Sequence, residues 1–568
     1  MKSKILDKIK QIKYLDYLLI TVVTIIICIP LFNKNLNIYR DDGIQHICRL
    51  IGTEQTIKEK QFLPMIMSNF CNNFGYSWNI FYSPLTAYAP LIFRIFSFSY
   101  TNCLKIFIFI VNLLSGFAMY KFMFKVTKNK NISTFAAILY VIAPYRLTDI
   151  YLRTAIAELT SFVFVPIIFN GLYTIINKEE KSYLLSWGIL GLILTHTIIT
   201  LYTAILCLIY LLIFIKKLKN KKVIINLLIN LLFGLITSSF YWVGLLQHYF
   251  ATSYEVFVPG RMEREEVLKY YKIDFYQLFF TRKEQIMIYA IGLVSVIGLV
   301  LTPVAYKKIS KDYKKLYTTF LIFGLILTFM TLTIFPFEKL PKILTMIQFT
   351  FRLFEFTSFF FAFVVAINYE TIIKDFKLKD ILILSTIAML LLIPYLNKLD
   401  YDLRYSEDKL INGVRVTKNT GRVHAGMASM EYLPSKAFNN LDYLINRENS
   451  IIVLNNENVK INEYTKNRTN IECTVSNIDK KTSIELPYIY YLGYRIYVNG
   501  KEISYTESEK GFIQVSIETS MCENKTAKIR VRYLGTNEMI IALMFSIIAI
   551  IILIIIQNQT IKKLIIKH

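Results

Sequence analysis

The sequence predicts a polytopic α-helical membrane protein that carries a β-sandwich outside the membrane near its C-terminus. Three observations predict it. The 568 residues are 54% hydrophobic and only 18% charged, with a mean hydropathy of +0.44, too apolar for a soluble globular chain. Apolar windows of span length recur through the first 396 residues, separated by lysine-bearing connections. From about 397 to 537 the long apolar runs stop and short alternating segments replace them.

The N-terminus, Met1 to Lys13, is basic and precedes an apolar run from Leu15 to Phe32. Asn33-Lys34-Asn35 follows in place of a small-residue cleavage site, so the run reads as an uncleaved signal anchor. About twelve spans follow from the windows 15–32, 103–124, 132–144, 157–177, 183–197, 198–215, 223–243, 286–306, 316–335, 351–368, 379–395 and 538–556, of which the third and fifth are short. With the N-terminus inside, every inner connection bears lysine: Lys125/Lys128/Lys130, Lys178/Lys181, Lys216 to Lys222, Lys307 to Lys315, Lys374 to Lys379, and the tail Lys562, Lys563 and Lys567. Both termini are therefore expected in the cytoplasm of a multi-pass cell-membrane protein. The first outer loop, 33–102, is too long for a connector. Within it, 85–98 is apolar but short, and reads as re-entrant or interfacial.

The domain reading is a transmembrane helical part over 1–396, a β-rich part over 397–537, and a last span with a basic tail over 538–568. Ile451–Leu454, Ile484–Tyr491, Tyr494–Val498 and Ala527–Tyr533 read as strands, and Asn499-Gly500 as a hairpin turn. An antiparallel sandwich is expected there, after a less regular segment. Cys28, Cys48, Cys103 and Cys207 read as small hydrophobes, whereas Cys473 and Cys522 share the soluble part and can pair if it is extracytoplasmic.

A net charge of +25 raises nucleic acid as a partner. The lysines sit in short runs between apolar segments, which is orientation chemistry, and nucleic acid is excluded on that ground. No phosphate-cradling glycine loop and no HExxH or paired CxxC metal motif is present.

The chemistry-bearing stretch is Tyr39 to Leu50, just after the first span. Asp42, His46 and Arg49 fall at i, i+4 and i+7, so a helix would place carboxylate, imidazole and guanidinium on one face, with Asp41 about 100° away. Charge beside a span is costly unless paired or used. The competing reading is a solvated amphipathic helix on the membrane surface. Further polar clusters fall on the same outer side: Pro144 to Glu158 with Arg146, Asp149 and Arg153; His196; the 244–285 segment with His248, Arg261, Glu263, Arg264, Glu265 and Glu266; and Ile347 to Arg352. Singly, each reads as a headgroup anchor. Together they set Asp, Glu, His and Arg outside against Lys inside.

Several stretches in order resemble one family, the bacterial YfhO-like membrane proteins, which overlap a domain described as 6-pyruvoyl-tetrahydropterin synthase related. The stretches are Asp42/His46/Arg49, Gly75-Tyr76 with Phe81-Tyr82-Ser83-Pro84-Leu85, Pro144 to Glu158, Gln348-Phe349-Thr350-Phe351-Arg352, Glu431-Tyr432-Leu433-Pro434, and the run 486–500. At the fourth, Thr350 and Phe351 replace the family's Pro and Trp while Arg352 is kept. That family is similar to GT-C glycosyltransferases, which take a sugar from a polyprenyl-phosphate carrier on the extracytoplasmic face and use an acidic residue of the first outer loop. The resemblance implies a GT-C-like helical part, a membrane-lipid environment, and a cell-envelope acceptor such as teichoic acid or another surface glycopolymer.

The chemistry of such a transfer fits these residue types. Asp42, assisted by Asp41 and His46, would take the acceptor proton. Arg49, Arg146, Arg153 and Arg352 would hold the leaving phosphate. Asp149, Glu158, His196, Gln348 and Glu431 are further outer-face candidates. A divalent metal (Mg or Mn) bridging carboxylate and phosphate is compatible with the sequence but not required by it. The alternative is a transporter or flippase of a lipid-linked saccharide, which should carry ionisable residues within its spans and broken helices.

Overall fold

The computed structural model describes residues 14–61, 65–258, 265–279, 291–397, 399–401, 417–419, 422–424 and 430–566. Met1 to Lys13, Arg261, Glu263, Arg264, Lys567, the start of the 286–306 window and much of 402–429 lie outside the described residues.

Among the described residues, seven helices are long and apolar enough to cross a membrane: Leu15–Phe32, Tyr100–Thr127, Ile156–Asn177, Lys311–Met330, Thr350–Ile372, Leu378–Leu396 and Asn537–Gln559. Two bent pairs raise the number to nine if each is one span: Lys130–Val141 with Pro144–Arg153, bent by 42°, and Lys221–Thr237 with Ser239–Ala251, bent by 70°. The twelve windows of the sequence thus meet helices, but several of those helices are too short or too bent to count by length. Leu184–Ile193 and Thr197–Ile213 are two of them, and Leu293–Val300 with Thr302–Tyr306 a third place. Leu85–Phe96 is short and apolar as expected, with Ile92, Ile95 and Phe96 exposed.

The helical core is aromatic. Phe122, Phe169, Phe320, Phe359, Phe360 and Phe363 interlock with centroid separations of 4.9–5.9 Å. Glycines let helices approach: a Cβ at Gly324 would meet the Phe361 ring at 2.3 Å, and one at Gly298 would meet Val365 at 2.5 Å.

The C-terminal part is built from two antiparallel sheets. One orders Ile452–Val453, Thr482–Ile489, Phe512–Ile517 and Thr506–Glu507; the other orders Lys460–Asn467, Asn470–Ser476, Ala527–Tyr533, Tyr494–Val498 and Lys501–Ile503. Ala527–Tyr533 alternates strictly between buried and exposed residues, and both sheets turn their buried residues into one core. Asn499 and Gly500 take φ of +47° and +82° between the paired Val498 and Lys501, the two-residue turn their types favour. None of the seven cysteines is in a disulfide, the expected Cys473–Cys522 pair included; Cys473 is buried in the core and Cys522 donates to the Glu518 carbonyl at 3.6 Å.

The first loop is part of this second core. Phe70, Phe74, Tyr76, Trp78 and Phe81 are buried with the sandwich residues, and Phe81 stacks on Tyr432 at 5.4 Å. The Ile489 N–H donates to the Phe74 carbonyl at 3.1 Å, and the Leu492 N–H to His248 Nε2 at 3.0 Å.

Candidate carboxylate–arginine site

Three chain breaks meet at the candidate site. The first is the turn Ile38–Asp42 ahead of the loop helix Gly43–Lys58. It is tight: a Cβ on Gly43 would lie 1.8 Å from the Ile38 carbonyl oxygen. The second is the break after Val141. Pro144 cannot continue the hydrogen-bond ladder, so it restarts as the first residue of a new turn. Thr148–Arg153 then runs as π-helix and stops at Thr154, before the helix Ile156–Leu172. The third is Ile347–Arg352 at the head of the helix Leu353–Ile372. Each carries one non-glycine residue in the left-handed region: Asp41 at φ +47°, Thr154 at +52° and Gln348 at +64°. Such strain concentrates where a function holds it.

Arg153 is the hub. It is buried and ringed by four carboxylates: Nη1 meets Asp149 at 3.0 Å and Glu158 at 2.9 Å, Nη2 meets Asp42 at 3.4 Å, and Nε meets Asp41 at 3.6 Å. The Asp42 N–H also donates to the Arg153 carbonyl at 3.1 Å, clipping the first break to the second. Arg352 joins through Nε to Glu158 at 2.8 Å, and its Nη1 donates to Gln348 Oε1 at 2.6 Å and to the Ile347 carbonyl. The Tyr145 hydroxyl donates to Glu158 at 2.6 Å. Phe351 lies 4.9 Å from the Arg153 guanidinium and Phe349 4.8 Å from that of Arg352, as cation–π partners.

Asp41, Asp42, Asp149, Arg153, Glu158, Gln348 and Arg352, drawn from three distant stretches, are thus one cluster, with His46 and His196 close enough to act on it electrostatically. Asp41 and Asp42 are its open edge, their side chains 46% and 34% exposed, while Asp149 and Glu158 are closed off. Burial in the cleft pushes the Asp42 carboxyl up to about 6, against the pull of Arg153 and with the push of Asp41. The Asp41 carboxyl is raised for the same first reason. Burial, with Arg49, Arg153 and His196 adding to it, holds His46 down to about 3, so its imidazole is neutral.

Asp42 caps the helix that carries His46 and Arg49, but Arg49 does not pair with Asp42. The His46 N–H donates to the Asp42 carbonyl at 3.0 Å, so Asp42 opens the helix, while Asp41 before it sits in a left-handed turn. The cation on Asp42 is Arg153. Arg49 turns away and spends its guanidinium on Asn79 at 3.0 Å, Thr86 at 3.3 Å and the Tyr82 and Ser83 carbonyls at 2.8 Å each. It fastens the Phe81–Leu85 stretch. Arg146 is also fully buried, donating to Asn112 at 2.8 Å and Ser115 at 2.6 Å beneath the Phe162 ring. Glu431 lies apart with Tyr76 and Tyr432, its carbonyl accepting from Val256 N–H at 2.6 Å. His196 accepts from the Ile199 N–H through Nδ1, capping the helix Thr197–Ile213.

Sequence reasoning missed Tyr145 and Glu355. Glu355 is fully buried, accepts from Ser161 at 2.6 Å, and leaves Oε2 without a partner. Its signal was visible: a lone carboxylate inside an apolar span. His46 Nε2, Asp149 Oδ2 and Thr154 Oγ1 are likewise buried and unpartnered, so four of these atoms lie around one cluster. Among the described residues no three His, Cys, Asp or Glu side chains are arranged to hold a metal ion. Asp41, Asp42, Asp149 and Glu158 are directed at arginine instead.

The stretch from the Phe81–Leu85 motif to the end of the helix Leu378–Leu396 holds two of the three breaks, and a family model matches it over residues 80–399: a membrane protein family described as 6-pyruvoyl-tetrahydropterin synthase related domain. The chain belongs to that family. The matched region includes Asp149, Arg153, Glu158, Gln348 and Arg352, while Asp41 and Asp42 precede it. An uncharacterized protein of Lactococcus lactis subsp. cremoris (strain MG1363) is 24% identical over 359 residues, covering 59% of this chain and 56% of the relative. The chain therefore spans little more than half the length of the curated relative it matches. No solved structure matches.

Proposed function

We propose that this family member is a membrane glycosyltransferase that moves a sugar from a polyprenyl-phosphate carrier to a cell-envelope glycopolymer such as teichoic acid, with Asp42 as the proton acceptor. One observation carries the reading: a partly open carboxylate pair, Asp41 and Asp42, set by strained turns against a buried arginine beside membrane-length helices. In the reaction the acceptor oxygen bonds to the sugar's anomeric carbon, its proton passes to Asp42, and the carbon–oxygen bond to phosphate breaks, releasing polyprenyl phosphate. A carboxyl titrating near 6 is ionised at neutral pH yet basic enough to take that proton.

The arginine roles divide. Arg153 is a positioning residue, its nitrogens turned to Asp41, Asp42, Asp149 and Glu158. Arg352 has Nε and Nη1 engaged, and its Nη2 is the group offered to the leaving phosphate. Arg49 and Arg146 brace the scaffold. His46, neutral and with Nε2 unpartnered, is suited to accept a hydrogen bond from substrate. Purified protein given radiolabelled polyprenyl-phosphate sugars and cell-wall polymer fractions should label the polymer, and Asp42→Asn should not. Absence of transfer from every donor by folded protein would overturn the reading.

A second reading draws on the broken span. Arg146, Asp149 and Arg153 lie on a helix pair bent by 42° with a π-helical stretch, the kind of interruption that transporters place at a substrate site. Movement of a fluorescent lipid-linked saccharide across proteoliposomes, without any transfer product, would favour that reading.

A further inference from the structure

Apart from the carboxylate–arginine cluster, a cavity of about 610 Å³ opens where the far end of the helix Gly43–Lys58, the turn 68–73 and the sandwich meet. Its volume lies within the range of ligand sites, about 300–1,000 Å³. Its lining is unusual for such a site because it contains no aliphatic side chain: amides, one hydroxyl, Tyr464 and three charged groups make it up. The charged groups are already engaged. Glu59 accepts from Ser68 at 2.6 Å and pairs with Arg468 at 3.4 Å. Lys466 gives its ammonium to the Asn73 and Pro487 carbonyls and to Asn449, at 2.5–3.0 Å. What remains open is neutral apart from Arg468, which pairs with Glu59 through Nε and keeps its side chain 53% exposed. Gln55 and Asn69 both line the cavity, and each keeps a buried side-chain oxygen with no hydrogen-bond partner.

Buried acceptors without donors are costly, and an occupant that donates to them recovers that cost. A hydroxyl both donates and accepts, so it matches a primary amide from either side. The walls are held firmly. Cys71, Asn72 and Asn73 take consecutive left-handed conformations, at φ +50°, +57° and +66°, and the turn is tied to the sandwich by Asn449, which donates to the Asn72 carbonyl at 2.6 Å.

We propose that this groove binds a hydroxyl-rich chain, a glycan or polyol polymer. Gln55 stands thirteen residues along the helix from Asp42, about 20 Å at 1.5 Å per residue, so the groove holds a distal segment of the chain and not the reacting hydroxyl. That last assignment rests on the transferase reading; glycan binding itself does not.

The test is calorimetric titration of the full chain in lipid nanodiscs with maltotriose, chitotriose and a glycerol phosphate oligomer, with inorganic phosphate as the control. At least one oligomer should bind, and the double variant Gln55→Leu with Asn69→Leu should weaken it tenfold or more. Gln55→Glu, nearly isosteric, should also weaken it if the double variant fails to fold. Asp42→Asn should bind as wild type does, whatever its transfer activity, so failure of the groove and failure of the transferase reading are told apart. No binding at millimolar oligomer, unchanged affinity in the amide variants, or saturation by phosphate alone would overturn the proposal.

Discussion

At the residue scale, the balance of charge around Arg153 decides what each substitution does. Two guanidinium groups face Asp41, Asp42, Asp149 and Glu158, an excess of carboxylate. Removing the hub should therefore be severe: Arg153→Gln leaves closed-off Asp149 without its cation and should cost about 3–5 kcal/mol of stability. Thermal unfolding in detergent measures this. An unchanged midpoint would mean the cluster is open to water. Asp42→Asn should behave in the opposite way. Its folded-state carboxyl titrates near 6, above the ordinary 3.8, so the folded protein holds a proton there more readily than the unfolded chain. The sign follows: Asp42 adds stability below about pH 4 and loses it as pH rises through 6. Asn at this position should match or exceed wild-type thermal stability at pH 8, with the advantage shrinking by pH 5. Transfer should fall about 10²–10⁴-fold. In the wild type, kcat/KM should rise through an apparent pKa near 6 that the Asp41–Asp42 pair shares. A profile flat down to pH 4.5 would remove the pair from proton transfer.

At the scale of elements, backbone breaks place the chemistry, and they explain what the sequence showed and what it hid. Charged residues in apolar surroundings drew attention to Asp42, Asp149, Arg153, Glu158 and Arg352, which the fold brings together, and to Arg146, which lies apart from them. Asn499-Gly500 announced its hairpin because only a few residue types accept two successive positive φ angles. The partner of Asp42 was not legible. Helical spacing points to Arg49, but the chain turns at Asp41 before the helix begins, and the true cation lies 111 residues away at Arg153. The π-helical stretch Thr148–Arg153 has no sequence signature either, though Pro144 signals the break before it. The 70° bend of the pair Lys221–Ala251 was not legible, because only Thr237-Ser238-Ser239 interrupts its apolar run there. Gly43 tests the role of the first break. Gly43→Ala sets a Cβ against the Ile38 carbonyl and should cost about 1–3 kcal/mol while lifting Asp41 and Asp42 from Arg153. Gln45→Ala, two residues on in the same helix, should change little. Equal thermal midpoints for the two variants would show that the turn is not built as described.

At the scale of the whole molecule, packing constrains topology without reference to any membrane. The first loop follows the helix Leu15–Phe32, the sandwich precedes the helix Asn537–Gln559, and the two bury aromatic residues in one core. They must lie on the same side, so an even number of crossings separates them. Among the described residues the strict candidates between them number five, and counting both bent pairs makes seven. Both are odd. Either only one bent pair crosses, or an odd number of shorter helices completes the set. The twelve-span reading supplies three, Leu184–Ile193, Thr197–Ile213 and the stretch ending at Tyr306, and so satisfies the parity. The shared side is expected to be the outer one because the inner connections of that reading all carry lysine. Lys58 on the loop helix and Lys501 on the sandwich hairpin are both exposed, so each can report its side as a single cysteine in a background lacking the seven native ones. Lys58→Cys and Lys501→Cys should both react with an impermeant thiol reagent in intact cells. Labelling of one without the other would break the shared core. Labelling of both only after lysis would keep the core but invert the molecule, placing Asp41 and Asp42 on the cytoplasmic face and out of reach of an envelope polymer.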